Sequence, residues 1–253
     1  NAAFGDFLGD TPLGSVDTAV LSQILLNHVI GASVTSGALV EGSANYTNTS
    51  ATGAGGNAMS LYYNTTDGVT FNGVSTVIEG GADIVGTNGV IHIVGGVIDI
   101  PTVVTFATAD PNFSTLVTAL TDLTPGTDFV EILSRTEAGS PVDGINPNYT
   151  VFAPTNTAFA ALAGIPGETV LTQILLHHVI AEANIASGDI TDGVSPTMLN
   201  GQTITINLPG TGDNIADVTD AAGNTDIGII AVDVQAGNGV IHVLNKVMIP
   251  AIE

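Results

Sequence analysis

The 253 residues carry 24 acidic side chains against two basic ones, Arg135 and Lys246, giving a formal net charge of −22. Neutralisation of phosphates by Lys and Arg supplies most nucleic-acid affinity, so this balance excludes nucleic acid and an anionic membrane surface as partners. The absence of cysteine removes disulfides, thiolate metal sites and thiol redox chemistry, while a hydrophobic share of 44% suffices for one large core or two of ordinary size.

The chain opens on Asn1-Ala-Ala-Phe-Gly-Asp, without a basic region or a long apolar run, so no signal peptide is expected there. Ser22 to Ile30 reads as an apolar helix end passing into a strand. Val40 to Gly56, rich in Ser, Thr, Ala, Asn and Gly, is either a flexible loop or a strand-rich insertion. Ile84 to Ala107 is the most apolar stretch. Its Asn88, His92, Asp99, Pro101 and four glycines disfavour a membrane-spanning helix, and it reads as consecutive buried strands.

From Asp110 to Leu123, apolar Phe113, Leu116, Val117 and Leu120 fall at helical spacing, with Asp110 or Pro111 as the start. Phe129 to Arg135 predicts a second short helix. Tyr149 to Ala153 predicts a strand broken by Pro154, after which Thr155 or Asn156 caps a helix carrying Ala158, Phe159 and Leu162. Thr169 to His178 is a helix with an Ile174/Leu175 face, followed by a strand from Val179. Thr203 to Leu208 alternates as a half-buried strand. Ile227 to Asp233 and Val240 to Met248 are β-branched runs separated by the turn Gly237-Asn-Gly239. Helices cluster early and strands late, which predicts an α+β fold.

The chain also repeats itself. Ser22-Gln-Ile-Leu-Leu-Asn-His-Val-Ile30 returns as Thr172-Gln-Ile-Leu-Leu-His-His-Val-Ile180, and Asn88-Gly-Val-Ile-His-Ile-Val94 returns as Asn238-Gly-Val-Ile-His-Val-Leu244. Both pairs lie 150 residues apart, so spacing is shared as well as wording. Asn1-Ala-Ala-Phe4 matches Asn156-Thr-Ala-Phe159. This is a tandem duplication with a boundary near Pro101.

The repeated words resemble those of a known family. Tyr149-Thr-Val-Phe-Ala-Pro-Thr-Asn-Thr-Ala-Phe159 is similar to the first motif of fasciclin domains. Ile174-Leu-Leu-His-His-Val179 is similar to their central segment, and Asn238 to Pro250 to the motif that closes the domain. The resemblance implies two modules, 1–101 and 102–253, each a β-sandwich wedge with flanking helices. It also implies extracellular or cell-surface adhesion, with structural motifs and no catalytic set. Nothing upstream in the first copy corresponds to 102–155, so module 1 is expected to lack its N-terminal part. Missing upstream sequence or a strand donated by another chain would complete it.

Few residues offer chemistry. All five histidines (His28, His92, His177, His178 and His242) lie inside the repeated words, on apolar elements, which favours core roles over zinc ligation. There is no Gly-x-Ser-x-Gly elbow, and aromatic residues that would stack on sugars amount to 5%. An enzyme is not expected, and neither is a cofactor, with calcium as the one possible exception. The acidic loop holding Asp213, Asp217, Asp220 and Asp226 is the best calcium candidate, since oxygen-rich side chains around a glycine turn suit that ion. The competing reading is a solvated hairpin loop; Asp143, Asp189 and Asp192 are similar turn acids. Asn45, Asn48, Asn64, Asn112 and Asn148 each begin an Asn-x-Ser/Thr sequon and are glycosylation candidates.

The expected function is therefore extracellular adhesion or structure, including self-assembly into a fibre through module surfaces and strand edges. Expected partners are other copies, cell-surface or matrix proteins, and glycans. The alternative is a calcium- or glycan-dependent binding module.

Overall fold

A computed structural model describes residues 2–40, 44–139 and 141–252. The chain divides into two compact units, Asn1–Pro101 and Thr102–Glu253.

The first unit begins with helices α1 (Ala2–Leu8), α2 (Thr18–Leu26) and α3 (Ser36–Val40). Asp17 starts α2 by accepting the backbone N–H groups of Ala19 and Val20, which would otherwise be orphaned at the helix end. An antiparallel sheet follows, formed in order by β1 (Asn45–Thr52), β2 (Ala58–Asn64), β3 (Thr70–Phe71) and β4 (Ser75–Thr76). The Ser/Thr-rich segment is thus a strand over 45–52: Thr49 and Ala51 point inward while Asn48, Ser50 and Thr52 face out, the period of a half-buried strand. Residues 41–43 of that segment lie outside the described residues. Leu39, Leu61, Val69, Phe71 and Ile98 form the core.

Ile84 to Ala107 departs from the expected run of buried strands. It contains only a short antiparallel hairpin, β5 (Ile84–Val85) with β6 (Val90–Ile91), and Val85 and Ile91 are 80% and 60% exposed. Its last residues belong to helix α4 (Val103–Ala109) of the second unit. The β-branched Val103-Val104-Thr105 favours a strand, but Thr102 and Thr105 form a reciprocal capping box, and Val103 and Phe106 bury one helical face. Local capping and tertiary packing override the propensity.

In the second unit, α4 is followed by α5 (Ser114–Thr121) and α6 (Phe129–Ser134). Strand β7 (Tyr149–Pro154) leads into α7 (Asn156–Ala160), α8 (Glu168–Leu176) and β8 (Val179–Ile180). The chain closes with β9 (Thr205–Asn207), β10 (Ala216–Thr219), β11 (Ile227–Gln235) and β12 (Gly239–Leu244). The six strands form one sheet in the order β8-β7-β12-β11-β10-β9, antiparallel except for the central β7–β12 pair. Mixed helix and sheet make the fold α+β.

Every residue of β7 and β12 is buried, because both faces of these strands are covered. On one face Val151, Ala153 and Ile241 meet α4, α5 and α6. On the other, Phe152 and Leu244 join Ile206, Val218 and Ile229 from the far strands, so the sheet curls around a common core. The central pair approaches closely at Gly239, where a Cβ would stand 2.4 Å from the Tyr149 carbonyl oxygen. Gly239→Ala is expected to lower stability by about 3 kcal/mol, from strain in a packed core. The matching Gly89→Ala is expected to change nothing measurable, since no atom lies within 4 Å of that Cβ position. Thermal unfolding of the two variants compares them directly.

Candidate functional site

Most of the side chains that sequence reasoning considered for chemistry serve to tie segments together. His178 sits at the C-terminus of α8, where its Nδ1 lies 2.7 Å from the Ile174 carbonyl and its Nε2 accepts the Met248 N–H at 3.0 Å. A carbonyl partner requires N–H and an N–H partner requires a lone pair, so the ring is the Nδ1–H tautomer with no free lone pair for a metal. His28 repeats the arrangement, at 2.7 Å from Ile24 O and 2.9 Å from Ile98 N. Burial pushes the His178 imidazole down to about 4.

The strand histidines repeat as well. His92 Nε2 lies 2.9 Å from Val34 O and His242 Nε2 lies 2.9 Å from Ile185 O. A third clamp was not foreseen. Ser36 donates its N–H and Oγ–H to the Asp83 carboxylate, and Ser187 does the same to Asp233. Both aspartates have positive φ, 56° and 62°. The signal for these pairs in the sequence is the recurrence of the serine and the aspartate in both copies, outside the longest repeated words.

Position 27/177 is where the units diverge. Asn27 donates to Asp99 O at 2.9 Å and accepts the Thr49 hydroxyl at 3.1 Å. His177 in the same place meets Asn200 Oδ1 at 3.1 Å, and its Nε2 has no hydrogen-bond partner among the described residues. Burial lowers its pKa.

Asn238 ties three segments of the second unit together. Almost fully buried, it accepts from Val103 N at 2.9 Å and donates to Leu133 O and Arg135 O at 2.8 and 2.9 Å. It thereby joins the β11–β12 turn to the start of α4 and the end of α6. Arg135 in turn clasps Asp143 and Glu131, and its side-chain hydrogen bond holds the Asp143 carboxyl at about 2.

The four calcium candidates do not form one site. Asp213 is exposed. Asp217 accepts from Asn214 and Thr211, which lowers its pKa, and Asp220 is buried against Asn224 and the Ile249 N–H. Asp226 pairs with Lys246, which lowers its pKa. Asp217, Asp220 and Asp226 thus each meet separate donors. Among the described residues, no group of three or more His, Cys, Asp or Glu could hold a metal ion. Of the sequon residues, Asn45, Asn48, Asn112 and Asn148 are exposed and Asn64 is half-buried. Asn148 has a positive φ of 66° at the entrance to β7.

Comparison with known proteins agrees with these motifs. The profile of the fasciclin domain matches residues 1–101 and again 111–250. The chain belongs to the fasciclin-domain family. The family's two segments coincide with the repeat, so this is a tandem fasciclin pair. Among relatives, protein sll1483 of Synechocystis sp. is 35% identical, the match covering 59% of this chain and 73% of that one. Human periostin is 33% identical, with 71% of this chain covering 20% of periostin. A solved fasciclin domain pair from the insect cell adhesion molecule fasciclin I superposes with a TM-score of 0.54, covering 100% of this chain and 86% of that one at 20% identity. That likeness shows the fold. The repeated histidines of the fasciclin motifs make the clamps just described, and among the described residues no helix is long and apolar enough to cross a membrane.

Proposed function

We propose that this fasciclin pair is a non-enzymatic extracellular adhesion or structural protein that recognises cell-surface or matrix proteins and glycans through its loops and strand edges. The supporting observation is the match of both halves to a domain found in cell adhesion proteins, fasciclin I among them. A second support is chemical: the repeated histidines and the Ser–Asp pairs are spent on structure, which leaves the exposed surface to carry recognition. Beads coated with the whole chain, incubated with matrix-coated or glycan-coated surfaces, are expected to adhere above an albumin-coated control. Equal retention of both bead types would overturn the reading, as would turnover of an ester or glycoside in a broad substrate screen.

Self-assembly belongs to the same proposal and depends on salt. Chains of net charge −22 repel one another, and at about 0.15 M ionic strength that repulsion is screened beyond roughly 8 Å. Sedimentation is expected to show larger species at 0.5 M than at 0.02 M sodium chloride; an unchanged distribution sinks the fibre. Divalent cations enter as diffuse counter-ions to this surface. Titration calorimetry with calcium chloride is expected to give no saturable one-site heat, and such a heat would demand a built site.

A further inference from the structure

Residues 185–194 of the second unit form an arch held at both ends. Thr150 Oγ1 accepts the Ile185 N–H at 2.9 Å, and the Ile185 carbonyl accepts from His242 Nε2 at 2.9 Å. Asp233 clamps Ser187, where the short 3-10 turn Ser187–Asp189 begins. At the far end Val194 pairs with Ile206 of β9, and the Gly193 N–H also reaches the Ile206 carbonyl. Pinned in this way, the arch does not settle fully onto the core, and a cavity of about 270 Å³ is left beside it.

The lining is apolar apart from two residues. Phe152, Ile180 and Ile206, all buried, come from the core, and Ile190 and Val194 come from the arch. Of the two polar residues, Asn184 is occupied by a reciprocal amide pair with Gln235, at 3.2 and 2.9 Å. Asp189 is the one charged residue of the lining. It is exposed, and among the described residues nothing pairs with its carboxylate. A preformed apolar slot with a single polar group at its edge has the composition of a binding site. Its 270 Å³ lies just below the roughly 300 to 1,000 Å³ of sites for drug-sized ligands, so it suits one side chain or a molecule of that size.

We propose, resting on the adhesion reading, that this slot takes a lysine side chain of a partner protein, its aliphatic stem against the apolar walls and its ammonium at Asp189. Lysine divides in the same way as the slot: the stem buries along apolar surface while the charged head stays at the wet rim. A neutral side chain would leave the carboxylate unused, and an acidic one would be repelled by it. The net charge of −22 draws cations to the surface from a distance, and Asp189 gives one of them a place to stop. A second copy of this chain does not supply the lysine. Its two basic residues are already engaged, Lys246 by Asp226 and Arg135 by Glu131 and Asp143.

The probe is the end-capped peptide Gly-Ser-Gly-Lys-Gly-Ser-Gly, titrated at low salt into the whole 253-residue chain and followed by NMR of the Ile185, Ile190 and Val194 methyl groups. Saturable shifts of these methyls are expected. Norleucine in place of the lysine keeps the stem and drops the ammonium, and it should weaken binding about threefold to fivefold, the worth of an exposed ion pair. Asp189→Asn should weaken binding of the lysine peptide by the same factor. Asp213→Asn removes an equal charge from another exposed loop and should leave the affinity unchanged. Absence of saturable shifts, equal binding of the norleucine peptide, or equal losses at 189 and 213 would overturn the proposal. Shifts with n-butylammonium but none with the peptide would overturn the assignment to a protein lysine. Bead adhesion without peptide binding leaves the adhesion reading standing and sinks the lysine slot; peptide binding without adhesion does the reverse.

Discussion

Acidification from pH 6.5 to 4 is expected to cost the second unit about 3 kcal/mol through His178, at about 1.4 kcal/mol per pH unit. Burial holds the folded imidazole at about 4, against 6.5 for the free side chain. Between these values the unfolded chain binds the proton and the folded one does not, so each step of acidification favours unfolding. Above 6.5 the contribution is present in full; below 4 both states are protonated and the loss levels off. Geometry gives the same sign. Nε2 accepts the Met248 N–H at 3.0 Å, and a proton there would set donor against donor in a buried place. His177 and His242, both lowered chiefly by burial, act in the same direction. The upper part of the window, from 6.5 to about 5, lies above the ordinary carboxylate range, so the histidines dominate there. Hydrogen exchange of peptides from α8 and β12, followed across pH, reads the effect. His178→Gln cannot titrate and should flatten the slope even as it lowers stability at pH 7. A parent protein of constant protection from pH 7 to 5 would refute this account.

The sequence disclosed the repeat because its longest words, 22–30 against 172–180 and 88–94 against 238–244, encode the histidine clamps. His28 and His178 make the same two bonds, so the same letters recur. Helices α5 and α6 were legible from apolar spacing, and α7 from Thr155, whose hydroxyl accepts the Ala158 N–H. Helix α4 was not, since Val103-Val104-Thr105 carries strand propensity and its helical reason lies in a cap and in burial of Val103 and Phe106. Strand β10 hid inside the acidic loop: Ala216 and Val218 are buried but only four residues long, and the flanking aspartates read as solvent-facing. The exposure of Val85 and Ile91 was equally hidden, because apolar runs signal burial whether or not a covering element is present. Charge patterning predicted an acidic surface but could not tell that Asp220 is buried with three N–H donors around it.

Asn238→Ala should destabilise the second unit by about 3 to 5 kcal/mol, while Asn88→Ala should stay within about 0.5 kcal/mol of the parent. The two residues occupy the same place in the repeat, so the contrast isolates what surrounds them. Removing the Asn238 amide strands Val103 N–H, Leu133 O and Arg135 O, three backbone groups that this one side chain joins, and each buried orphan costs about 1 to 3 kcal/mol. Asn88 is exposed and the first unit shows, among its described residues, no counterparts of α4 and α6 to be held. Asn238→Asp discriminates further: it keeps the acceptor for Val103 N–H but turns a carboxylate toward two carbonyls, so it should be at least as damaging as alanine. Urea denaturation of all three variants, with the second unit's transition followed by hydrogen exchange, separates the cases. Near-equal losses at 88 and 238 would mean that the Asn-Gly turn matters for its own conformation and not for the helices it staples. A large loss at 238 alone would locate the cost in the three backbone groups that Asn238 joins.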